Sequence, residues 1–137
     1  MSVLDICEQN PPAVSPESSV ADAIRHMLDQ HVGAVAVVDS ERVVAGIFTE
    51  RDVLKRLALS GRDPARTQVR EMMTTPVELA TEETTEAEAL GVMLERHYRH
   101  LPVVDNLGRL LGMLSIRHVL EARVDDLLQQ LSEAKAG

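Results

Sequence analysis

Residues Gly33 to Leu57 and Arg99 to Arg123 carry one pattern twice, without a gap, at a constant spacing of 66 residues. Carrying the comparison back to Ser15 and Thr81 gives 13 identities in 43 aligned pairs. Composition alone would give about two or three, so the chain is an internal duplication. The identities include Ala21/Ala87, Met27/Met93, His31/His97, Val37/Val103, Asp39/Asp105, Gly46/Gly112, Arg51/Arg117 and Val53/Val119. Two units of about sixty residues would each be marginal alone, which predicts that the copies share one core. Specialisation is then to be sought where the copies differ.

In the first copy Val20, Ala23, Ile24, Met27 and Leu28 recur at helical spacing, with Ser19 and Asp22 placed as a capping box at the start. The second copy repeats the helix with Ala89, Leu90, Met93 and Leu94, opened by Thr85 and Glu88. Val35 to Val38 and Val43 to Phe48 follow as two buried strands around an Asp39-Ser40 turn, matched by Leu101 to Val104 and Leu110 to Leu114. A second helix is expected from Glu50 to about Leu59, and again from Ile116 to about Leu131. Pro11 to Val14 and Pro76 to Ala80 supply one more short strand each, and Gly61-Arg62-Asp63-Pro64 marks the break. Each copy therefore reads β-α-β-β-α, an α/β (α+β) arrangement in pseudo-two-fold symmetry with a cleft on each side. The first domain is placed at residues 1–62, and the second, with a C-terminal helical extension, at 63–137.

Composition narrows the partners. One Tyr, one Phe and no Trp leave no aromatic platform for single-stranded nucleic acid, and a net charge of −8 without a basic run argues against polyanions and acidic membrane surfaces. The lone Cys7 cannot form an intrachain disulfide, the N-terminus lacks a signal-peptide pattern, and no apolar run is long enough to span a bilayer. A cytoplasmic protein is expected. No nucleophile-base-acid set stands out and the five histidines show no metal-ligand spacing, so no enzyme activity and no metal are expected.

The strongest local motif is Gly46-Ile47-Phe48-Thr49-Glu50-Arg51-Asp52-Val53, at a strand-to-helix junction. Such a junction offers free N–H groups to an anion, and an Asp carboxylate can accept from both hydroxyls of a ribose. The plainer alternative is that Thr49 and Asp52, three apart, only cap a helix. The second copy reads Gly112-Met113-Leu114-Ser115-Ile116-Arg117-His118-Val119, with an imidazole where the first has the carboxylate. Imidazole cannot chelate a diol as a carboxylate does, so one competent nucleoside site and one weak or empty one are expected.

Two β-α-β-β-α copies bearing a Gly-hydrophobic-hydrophobic-Thr-x-x-Asp-hydrophobic motif resemble the cystathionine-β-synthase (CBS) domain family, over about Val3 to Arg123. The resemblance implies a stand-alone CBS pair that binds an adenosine nucleotide, AMP, ADP or ATP, between its domains. Asp52 would hold the ribose and Thr49 help with phosphate. Arg99, His100 and Arg117 of the second copy would contact phosphate, and Ile47 with Pro76, Val77 and Glu78 would flank the adenine. Glu78 is polar where the family is usually apolar. The resemblance also implies regulation or signal transduction, as an energy sensor, and a homodimer acting on a separate protein that no residue identifies. The last helix, with Leu120, Val124, Leu127 and Leu131 at heptad-like spacing, is a candidate dimer surface. NAD or S-adenosylmethionine present the same adenosine and stay open as ligands, as does a ligand-free dimeric scaffold.

Overall fold

A computed structural model describes residues 2–136. Two parallel-antiparallel sheets stand face to face with helices on their outer sides. The elements are β1 (Glu8–Gln9), β2 (Ala13–Val14), α1 (Val20–Gln30), β3 (Ala34–Val38), β4 (Val44–Thr49), α2 (Glu50–Asp52), β5 (Ala80–Thr81), α3 (Glu86–Arg96), β6 (His100–Val104), β7 (Leu110–Ser115) and α4 (Ile116–Ala136). One sheet runs β2-β3-β4 and the other β1-β7-β6-β5. The expected duplicated fold is what the chain adopts.

The repeated residues have repeated jobs. Ser19 and Thr85 accept from the backbone N–H of Asp22 and Glu88, so both first helices start at side-chain caps. His31 and His97 end those helices in the left-handed region, at φ 55° and 61°, a conformation in which His is enriched among non-glycine residues. Asp39 and Asp105 fold back on the hairpin turns: Asp39 Oδ1 accepts from Glu41 and Val43, and Asp105 Oδ1 from Leu107 and Arg109. Those N–H groups and the Arg109 guanidinium hold the Asp105 carboxyl below its ordinary range.

Strand alternation divides the apolar side chains into three layers. Val35, Val37 and Phe48 pack under α1, and Leu101, Val103 and Leu114 pack under α3 and α4. Between the sheets lie Ala34, Ala36, Val38 and Ile47 from one side and Leu110 and Met113 from the other. Small alanines there let the sheets approach.

The leading segment of each copy is exchanged. Val3, in a 3-10 turn over Val3–Asp5, is fully buried in the second copy's core beside Ala80, Val103 and Val119. Val69, 66 residues later in an equivalent turn over Val69–Glu71, is buried in the first copy's core. The chain continues from each turn along the same foreign strand: β1 pairs antiparallel with β7, and Thr74 pairs with Ile47 of β4. This crossing explains Gly46 and Gly112. A Cβ on Gly46 would lie 2.9 Å from the Thr74 carbonyl, and one on Gly112 2.8 Å from the Glu8 carbonyl.

The second helix of the first copy departs from the expected regular helix. After Glu50–Asp52 it loosens into a π-helical turn over Val53–Leu57. Its counterpart α4 runs 21 residues, and Leu120, Val124, Leu127 and Leu131 on it are 50–59% exposed. No described helix is long and apolar enough to cross a membrane.

Candidate functional site

β4 delivers Thr49 and Asp52 to a cleft of about 510 Å³ between the copies. The strand ends at Thr49 because the next three residues turn into helix, and the turn is closed by a capping box. Thr49 N–H donates to Asp52 Oδ2 at 3.0 Å, and Asp52 N–H donates to Thr49 Oγ1 at 3.3 Å. The exchanged segment adds a third tie. Thr74 Oγ1 donates to Asp52 Oδ1 at 2.8 Å, and Arg56 Nε approaches the same oxygen at 3.7 Å. Asp52 is 4% exposed as a result. The cap reading of the motif is therefore physically present.

A carboxylate has about four acceptor positions; the Thr49 N–H and the Thr49 hydroxyl, at 3.2 Å, meet Oδ2 while the Thr74 hydroxyl and Arg56 meet Oδ1, so capacity opens only where Arg56 is loosely held or the Thr74 hydroxyl rotates. Either movement costs about 1 kcal/mol, the scale of one exchanged hydrogen bond. Thr74 is invisible to a motif search, because its partner is 22 residues away and the contact exists only through the segment exchange.

The cleft gathers most of the residues expected from the sequence. Ile47, Thr49, Asp52, Val77, Glu78, Arg99 and His100 all line it. Pro76 lies next to Val77 but is not in the wall. Arg117 is elsewhere: it sits in the opposite cleft, beside the motif of its own copy, and pairs with Glu121 at 3.6 Å one helical turn on. A residue of the second motif faces the second cleft by the same geometry that aims Asp52 into the first.

Glu78, the polar departure, is engaged by Arg96 of the same copy at 3.4 Å, on one side of the cleft. Arg51 donates to the His97 carbonyl at 3.1 Å, a strap between the copies. Arg56 is held by Asp52 and the Met72 and Met73 carbonyls. Of the five Lys and Arg residues in the wall this leaves Lys55 and Arg99 with neither an ion pair nor a side-chain hydrogen bond among the described residues, available to an anion. Lys55 is one turn beyond Asp52, a position that helical spacing alone could have revealed. His100 contributes no positive charge near neutrality. Burial, then the neighbouring His118 and Arg99, push its imidazole down to about 4.

The opposite cleft, about 730 Å³, is the pseudo-symmetric counterpart, with Met113, Ser115 and His118 in the places of Ile47, Thr49 and Asp52. His118 reproduces the cap with a nitrogen: Ser115 N–H donates to His118 Nδ1 at 3.1 Å, and His118 N–H to Ser115 Oγ at 3.2 Å. No cluster of three metal-ligating side chains occurs among the described residues.

The exchanged segments, the two motifs and the paired clefts coincide with a known sequence pattern, the CBS domain, matched over residues 3–59 and again over 69–125. The chain belongs to the CBS domain family. Both matched ranges begin at the exchanged valines. The chain is 39% identical over 112 residues to an uncharacterised 17.7 kDa protein of Acidianus ambivalens, covering 82% of this chain and 66% of that one. It is 35% identical to the mitochondrial CBS domain-containing protein CBSX3 of Arabidopsis thaliana, covering 88% of this chain and 60% of the relative. The chain thus spans under two thirds of the length of these curated relatives. Among solved structures, the CBS-domain protein ATU1752 of Agrobacterium tumefaciens superposes with a TM-score of 0.78 at 36% identity, covering 88% of this chain and 95% of that one. CBSX2 of Arabidopsis thaliana, solved in complex with AMP, superposes with a TM-score of 0.79 at 26% identity over 90% of this chain and 96% of that one.

Proposed function

We propose that this CBS pair is a regulatory, non-catalytic module that senses an adenosine nucleotide, AMP, ADP or ATP, in the Asp52 cleft. The observation that carries the reading is the convergence of a buried diol acceptor, Asp52, with two unpaired cations, Lys55 and Arg99, in one cleft lined by both copies. The ribose is taken by Asp52 after the Thr74 hydroxyl turns away, the base lies against Ile47 and Val77, and phosphate is held by Thr49, Lys55 and Arg99. His100 contributes an uncharged ring edge. Because Thr74, Arg96 and Arg99 come from beyond the first copy, a ligand there ties the two copies together, and its differential affinity for closed and open arrangements is the signal. The exposed stripe on α4 suits a homodimer, through which occupancy reaches a separate regulated protein.

A second reading rests on the capping box itself. Asp52 is already bonded by Thr49 and Thr74, so a ligand-free dimeric scaffold satisfies the same geometry. Calorimetric titration with AMP, ADP, ATP, NAD and S-adenosylmethionine separates the two. The sensor reading requires saturable binding at one ligand per chain that Asp52→Ala abolishes. Absence of heat with all five leaves the scaffold.

A further inference from the structure

The second cleft is larger than the first and its chemistry is inverted. In the first copy the motif presents a carboxylate, an acceptor. In the second, His118 spends Nδ1 accepting the Ser115 N–H, which fixes the neutral ring with its proton on Nε2. The side chain that replaces Asp52 is therefore a donor. The tertiary partner is inverted with it. Thr74, a hydroxyl donor to Asp52, has the acidic Glu8 as its counterpart on β1, and Glu8 lines the cleft together with His118, with no hydrogen bond between the two among the described residues. Donor and acceptor have changed places between the two clefts.

The rest of the wall is mostly apolar, with a few charged side chains. Ile24, Met27, Val53 and Ile116 form an apolar side. Arg99, which lines both clefts, and Arg117 bring two positive charges, and Glu8 and Glu50 two negative ones, so the lining is neutral. A nucleotide brings net negative charge and a diol that needs an acceptor at the position of His118, and it matches neither feature. A small zwitterion with an apolar side chain matches both: its carboxylate accepts from His118 Nε2–H, its ammonium donates to Glu8, and its side chain rests on the apolar side. A few convergent polar groups set in an apolar concavity are the usual form of such a site.

We infer that the His118 cleft is a separate site for an apolar α-amino acid or a zwitterion of the same shape, independent of the nucleotide reading of the Asp52 cleft. The test is calorimetric titration of the full chain with L-leucine and L-methionine, alone and with AMP present at saturation. Isocaproate and isoamylamine, which keep the leucine skeleton but lack the ammonium or the carboxylate, serve as the discriminating probes. Glu8→Gln and His118→Asp are titrated in parallel, with thermal unfolding to show that they fold; His118→Asp keeps an acceptor for the Ser115 N–H. Expected is saturable binding of an amino acid near one per chain, not displaced by AMP, weakened at least about tenfold in either variant, as loss of one charged hydrogen bond requires, and not given by either probe. The inference is overturned by no saturable binding at millimolar concentrations, by displacement with AMP, by isocaproate or isoamylamine binding as well as leucine, or by unchanged affinity in Glu8→Gln and His118→Asp. The Asp52→Ala titration with nucleotides is scored separately, so either reading can fail alone.

Discussion

Replacing Asp52 and His118, the seventh residue of each motif, by alanine asks how much structure each cap supports, and the two copies serve as each other's control. Asp52→Ala removes the acceptor of the Thr49 N–H, which costs about 1 kcal/mol for a helix N-terminus. It also leaves the part-buried Thr74 hydroxyl without its acceptor, adding about 1 to 2 kcal/mol. The loss of Arg56 as a partner adds little, because that side chain is 45% exposed at 3.7 Å. The sum is about 2 to 3 kcal/mol. His118→Ala removes only the acceptor of the Ser115 N–H, about 1 kcal/mol, because Glu8 forms no bond to the ring. At roughly 3 °C per kcal/mol for a chain of this size, Asp52→Ala lowers Tm by about 6 to 9 °C and His118→Ala by about 3 °C. Far-ultraviolet circular dichroism melts without ligand measure both. Equal losses would refute the argument that the exchanged Thr74 segment is anchored on Asp52.

Further outcomes follow from other parts of the molecule. The folded-state value of His100 is lowered to about 4 while the unfolded chain binds its proton near 6.5, so its contribution is intact above about 6.5 and is lost as the pH falls toward 4. Denaturant unfolding at pH 7 and pH 5 should show a loss of about 2 kcal/mol that His100→Asn removes. Gly46→Ala drives a Cβ against the Thr74 carbonyl and the Met73 thioether. It should destabilise the chain by about 1 to 3 kcal/mol and weaken AMP binding together, as read by melting and calorimetry. Leu127→Glu with Leu131→Glu places charge on the exposed stripe of α4 and should shift the sedimentation mass to that of a single chain while leaving the melt of the core unchanged.

The parts of the fold set by local chemistry were legible before any coordinates. The caps at Ser19 and Thr85, the Asp39 and Asp105 turns and the buried strands are written in short-range patterns and the structure reproduces them, except that Asp22 and Glu88 do not return the second bond of the expected capping boxes. The segment exchange was not legible. Val3 and Val69 are one more identity at the same spacing, but three-residue turns have no periodicity, and which core receives them is a tertiary outcome. The misplacement of Arg117 follows from the same blindness. A motif gives a residue's copy but not the cleft it faces, and Arg117 remains with His118. Thr49 and Asp52 were recoverable from spacing and type and the other expected wall residues only through the family resemblance; Arg56, four residues beyond Asp52, was open to helical spacing, whereas Thr74 and Arg96 enter the cleft only through folding.

The exchange of leading segments means that neither repeat owns a complete core. Val3 seats among residues about 77 to 116 positions further along the chain, and the second repeat's interior lacks a wall until the first residues arrive. Unfolding should therefore be one cooperative event, with no temperature at which one half persists while the other is lost. Any molecule that binds at either cleft raises the melting temperature of the entire pair by mass action. Occupancy in one cleft is thereby felt in both halves even if no backbone moves.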